Sequence, residues 1–163
     1  MPEISPFGWF HTAAGIIAVL SGIYTLVVNK VIRWDDLAGK VYLVCTLIAA
    51  ASALAIFRQG GFNAAHALAI LTLLALFVGT VAERTQLLKG LSAYAQAMCY
   101  SATLLFHMIP AITDGLMRLP VDDPVVKNIE DPLLKSFYLA FLITYVIGFA
   151  LQVIWLKKQS VNT

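Results

Sequence analysis

No charged residue stands between Glu3 and Lys30, and Phe7–Val28 within that interval is apolar. Four further charge-free runs follow: Val41–Phe57, Phe62–Ala82, Leu91–Thr113 and Ser136–Leu156. Each comes close to the roughly 20 residues that cross about 30 Å of hydrocarbon. A single segment in lipid must satisfy its own backbone N–H and C=O groups, which means a helix. The runs are rich in Leu, Ala, Ile and Val and lack the alternation of a strand. They predict an all-α integral membrane bundle of five transmembrane helices near 7–28, 37–57, 62–82, 91–113 and 133–156. The whole chain, 1–163, reads as one domain.

Composition agrees and removes several function classes. Only 12% of the residues are charged, about half the usual share in soluble domains. A chain of 163 residues has no room for a separate catalytic domain beside such a bundle. The net charge of +2 is scattered, with no basic run to follow a phosphate backbone, so nucleic acid is not an expected partner. Cys45 and Cys99 form no CxxC pair and lie in apolar stretches, where a thiol acts as a small hydrophobe. There is no Gly-x-Ser-x-Gly nucleophile motif and no phosphate-binding glycine loop.

Lysine and arginine set an orientation. With the N-terminus outside, the cytoplasmic segments hold Lys30, Arg33, Lys40, Arg84, Lys89, Lys157 and Lys158. The outer segments then hold Arg58, Arg118, Lys127 and Lys135. The positive-inside rule favours this arrangement, with the C-terminus cytoplasmic. The first run lacks a basic lead and a small-residue cleavage site, so it is read as a span and not as a signal. Gln59-Gly60-Gly61 predicts a tight outer turn. The outer acidic loop, 114–132, contains Asp123-Pro124 and Asp131-Pro132. Each pair reads as a helix cap followed by proline at the first helical position, which predicts a short surface helix and then the last span.

Once the topology is drawn, the three histidines fall at one depth. His11 lies near the start of the first span, His66 near the start of the third and His107 near the end of the fourth. At about 1.5 Å per residue, each sits one to two turns below the outer surface. Ionisable residues within spans tend to face the bundle interior and carry function. On the fourth span Gln96, Cys99, Tyr100, Thr103, His107 and Asp114 recur at spacings of three, four or seven and share a face. Interhelical hydrogen bonding alone accounts for such a stripe. The fifth span has a sparser stripe at Tyr138, Tyr145 and Gln152. On the first span His11, Gly15, Ala18 and Gly22 form a face of small residues suited to close helix approach.

The combination of His11-x3-Gly15, Ser21-Gly22 and Leu37-Ala38-Gly39-Lys40-Val41-Tyr42 resembles a family of small bacterial inner-membrane proteins known only as a domain of unknown function. The likeness covers roughly the first three spans. Asp35 and Asp36 stand where many members of that family carry a histidine. The resemblance implies a multi-pass protein of the bacterial inner membrane and a role for His11, and it supplies no activity.

Three functional readings follow. In the first, His11, His66 and His107 bind one transition-metal ion, with water or a carboxylate as fourth ligand. Three imidazoles with an open position suit zinc, and copper or iron is equally compatible. Asp114 and Thr103 are the expected supporting residues around it. In the second, two of the histidines are axial ligands of a b-type haem, Gly15 makes room for the porphyrin and Arg58 meets a propionate. The chain is then an electron carrier. In the third it is a non-enzymatic assembly or structural subunit whose histidines only hydrogen-bond. The lipid bilayer is the expected environment, and self-association or a partner in a membrane complex stays open.

Overall fold

A computed structural model describes residues 5–56 and 61–161. Five helices follow one another: α1 (Pro6–Asn29), α2 (Leu37–Ala53), α3 (Ala64–Thr85), α4 (Ser92–Arg118) and α5 (Pro132–Val161). A 3-10 turn, Lys89–Leu91, leads into α4. No strand occurs among the described residues. α1, α3, α4 with its leading turn, and α5 are long and apolar enough to cross a membrane. α2 is apolar but has 17 residues, about 25 Å at 1.5 Å per residue.

Side-chain chemistry places the starts of the helices. The Ser5 hydroxyl accepts from the Gly8 N–H at 3.1 Å, with Pro6 at the first helical position. The Asp36 carboxylate accepts from the Gly39 N–H at 2.8 Å. The Asn63 side chain accepts from the N–H groups of Ala65 and His66. Lys30 and Gln86, both left-handed, stop α1 and α3.

Four features depart from expectation, and among them α5 runs on to Val161, past the expected end at 156. α2 ends at Ala53 and not near 57, because the N–H groups of Ala55 and Ile56 turn back to the carbonyls of Ser52 and Ala53. α4 runs on to Arg118, through Pro110 and past the expected end at 113. Asp123-Pro124 starts no helix. The segment is instead fastened to α4 by Val125 N–H to Leu119 O and Val126 N–H to Leu116 O, with Val126 buried. Asp131 does act as expected at the start of α5, accepting from the Leu133 N–H at 2.9 Å. The tight turn expected at Gln59-Gly60-Gly61 falls largely outside the described residues.

Burial is distributed as lipid, not water, requires. Leu20, Val27, Phe77 and Leu151 lie on the exterior with more than half their surface open. Thr25, Thr46, Ser92 and Thr103 are wholly buried. With an apolar exterior, polar groups belong where other helices satisfy them. α1 packs against α2 and α3 against α4, while α5 packs on α4. Each of the two pairs is closed by a tyrosine lying on a glycine. A Cβ at Gly22 would stand 2.6 Å from the Tyr42 ring, and one at Gly79 would stand 2.5 Å from the Tyr100 ring. Both tyrosines are fully buried.

Candidate functional site

Two polar clusters occupy the interior. The first lies at the end of the bundle where α1 begins and α2 ends. Nδ1 of His11 is 3.1 Å from the Ala49 carbonyl and 3.0 Å from the Ser52 hydroxyl. The Ser52 hydroxyl itself donates to the Ala49 carbonyl. Nδ1 therefore carries the ring proton, because a bare nitrogen would repel that carbonyl oxygen. His107 reaches the same helix from α4, with Nε2 at 3.1 Å from the Thr46 hydroxyl. Thr46 and Ala49 are three residues apart, hence on one face of α2. The two imidazoles meet that face about one turn apart.

Below them the cluster continues. Thr46 lies beside the Tyr42 hydroxyl, and the Tyr42 ring presents its edge to His107 at 6.5 Å between centroids. The Tyr42 hydroxyl is 2.5 Å from the Thr103 hydroxyl and 3.2 Å from the Tyr100 carbonyl. Thr103 donates to that carbonyl at 2.7 Å. Thr103 thus supports Tyr42, and through it the surroundings of His107, without touching an imidazole in any of these bonds.

The second cluster lies toward the opposite end. Glu83 accepts from the Trp34 N–H at 2.9 Å with one carboxylate oxygen and from the Tyr100 hydroxyl at 2.9 Å with the other. The Thr80 hydroxyl accepts from the Trp34 indole at 3.2 Å and pairs with the Tyr100 hydroxyl at 3.1 Å. Arg84 stacks over the Trp34 ring. Tyr100 joins the two clusters: its carbonyl belongs to the first and its hydroxyl to the second.

Of the three histidines expected to converge, His11 and His107 reach one face of α2, and His66 bonds at the start of its own helix. His66 is buried, as expected for an inward-facing residue, but it serves its own helix start. Its Nδ1 is 3.0 Å from the Asn63 side-chain oxygen and 3.3 Å from the Asn63 N–H, completing a capping box, and Phe62 covers its ring. Among the described residues, no group of three or more His, Cys, Asp or Glu is arranged to hold a metal ion. Asp114, expected to support the site, is 69% exposed and faces Arg118 at 3.5 Å. A Cβ at Gly15 would meet no atom within 4 Å, so the close helix approach expected on α1 occurs at Gly22. Arg58, the expected partner of a haem propionate, lies outside the described residues.

Four contributors escaped the sequence reading. Tyr42, Thr46 and Ser52, with Ala49 between, follow one another at spacings of four, three and three, which is a polar stripe as regular as that of α4. Glu83 borders an apolar run, which gives it the look of a solvated span boundary. No protein-family model, curated protein or solved structure matches this chain.

Proposed function

We propose that this chain is a five-span protein of a bacterial inner membrane, N-terminus outside, that holds one transition-metal ion between His11 and His107. The observation that carries the reading is the convergence of these two imidazoles on one face of α2. α2 supplies no ligand in this arrangement. It orients both rings, His11 through the Ala49 carbonyl and His107 through Thr46, as outer groups do around ligating histidines. With Nδ1 of His11 protonated toward the carbonyl, the lone pair lies on Nε2. Zinc, copper and iron all accept imidazole, and an ion with two protein ligands keeps positions for water or substrate. When bound, it would supply Lewis-acid or redox chemistry at the end of the bundle.

Haem is the less favoured occupant. A bis-histidine porphyrin needs one ring on each of its faces, whereas both rings here are tied to a single helix one turn apart. A non-enzymatic reading has its own observation: each of the three histidines has a hydrogen-bond partner within the protein.

Elemental analysis and an absorption spectrum of the purified protein separate the three. One equivalent of zinc, copper or iron without a Soret band is the expected result. A Soret band selects haem, and neither metal nor Soret band selects the structural role. Orientation is tested by reporters: one fused to the C-terminus should read as cytoplasmic, and one within 121–126 as external.

A further inference from the structure

An open groove of about 700 Å³ runs between α1, α4 and α5, and no histidine lines it. Its walls are Ile23, Leu26, Leu104, Leu105, Phe141 and Phe149 over most of its length. Its polar lining is Lys30, Ser101 and Gln152 at one end, beside Trp155, with Thr144 and Tyr145 further along α5. At the Lys30 end the Gln152 amide donates to the Lys30 carbonyl at 2.8 Å and accepts from the Ser101 hydroxyl at 2.9 Å, tying α1, α4 and α5 together. From Phe141 to Trp155 the groove follows α5 for 14 positions, or about 21 Å at 1.5 Å per residue. That is more than half of a roughly 30 Å hydrocarbon core. The groove therefore reaches from one surface past the middle of the bundle, with its charged end at the surface.

Charge at the mouth distinguishes among lipids. Lys30 is exposed, and together with Arg33 and Trp155 it lines the adjoining polar hollow. Lys157 and Lys158 follow directly on α5, both exposed. Asp35 and Asp36 share the hollow, but the Asp36 carboxylate is engaged by the Gly39 N–H and the Thr25 hydroxyl. The Lys30 ammonium donates one bond to the Val27 carbonyl at 2.6 Å and has two further N–H groups, and four cations against two carboxylates favour an anionic headgroup. We propose that the groove holds one acyl chain of an anionic glycerophospholipid, with its phosphate at Lys30. The site is independent of the histidine pair.

Gly148 provides the test, because it lines the groove and a Cβ there would meet no atom within 4 Å. The full chain is purified, offered equal phosphatidylglycerol and phosphatidylcholine, and weighed by native mass spectrometry. Wild type should retain one lipid per chain, with phosphatidylglycerol favoured about tenfold. Gly148→Leu should lose both lipids about tenfold with an unchanged melting temperature. Lys30→Asn, which suits the left-handed backbone at that position, should keep one lipid and lose the preference. Lipid retention by Gly148→Leu equal to wild type would overturn the proposal. So would an anion preference that survives Lys30→Asn, or a lipid-free dimer cross-linked through α5. Brominated phosphatidylglycerol should also quench Trp155 in the unaltered protein more than brominated phosphatidylcholine does, and equal quenching would count against the site.

Discussion

The two polar clusters are built from similar parts and differ in how far those parts account for one another. At the Glu83 end, both carboxylate oxygens meet donors held by other elements, Trp34 and Tyr100, and Thr80 ties those donors together. The arrangement is self-sufficient as packing: it fixes the loop after α1 against α3 and α4. At the histidine end, hydroxyls and a carbonyl of α2 hold two rings from different helices side by side. Two adjacent titratable rings are not needed to join three helices, since Thr103 and Tyr42 already make that kind of link between α2 and α4. The Glu83 cluster is thus a fastening, whereas the histidine cluster is a fastening with an excess of ligand chemistry.

The largest effect on stability should follow from adding a methyl group under either tyrosine. Gly22→Ala and Gly79→Ala each drive a Cβ into a buried ring, with an expected loss of about 1–3 kcal/mol from overpacking. Denaturation of the purified protein measures it. If both are tolerated, the glycine–tyrosine contacts do not define the bundle.

Glu83→Ala should come next. It removes the acceptor of the Trp34 N–H and the Tyr100 hydroxyl, at about 2 kcal/mol for donors left without a partner, and it should leave metal content unchanged. A loss of metal in Glu83→Ala would erase the distinction between the clusters.

A smaller contrast concerns two threonines. Thr103 binds Tyr42 across helices, whereas Thr72 bonds only to the Leu68 carbonyl of its own helix. Thr103→Val should cost about 1 kcal/mol more than Thr72→Val, within the range measured for interhelical hydrogen bonds in membranes. Equal melting temperatures would remove Thr103 from the histidine cluster.

The smallest effect belongs to the loop. The hydrogen bond and charge of Lys135 hold the exposed Glu130 carboxyl below its usual range. A depressed carboxylate favours the folded state at neutral pH and loses that contribution as pH falls through its lowered value. Lys135→Gln should therefore shift the melting temperature slightly at pH 7 and not at all in strong acid. Salt should screen the difference.

The helices were legible because charge marks their ends, and the positions of the histidines along them followed from counting. Their facing was not legible. Depth depends on position along a helix, but convergence depends on rotation about it, and His66 sits at the third position of an Asn63 cap where its ring folds back on the helix start. Likewise, Asp123-Pro124 has the local signature of a helix start. Two backbone bonds to α4 and the burial of Val126 override it. The end of α2 was hidden for the opposite reason. Ala51-Ser52-Ala53-Leu54 is as apolar as a continuing span, and only the back-turned N–H groups of Ala55 and Ile56 stop it.

We propose that an ion is shared by His11 and His107 and not by His66. Metal-free wild type and the variants His11→Ala, His66→Ala and His107→Ala are each titrated with zinc against a competing chelator. Wild type and His66→Ala should bind one equivalent with equal affinity, His66→Ala melting earlier for loss of its cap interaction. His11→Ala and His107→Ala should each bind at least a hundredfold more weakly. Equal binding by all four proteins, or a loss in His66→Ala as deep as in the other two, would rule out an ion held by His11 and His107 alone.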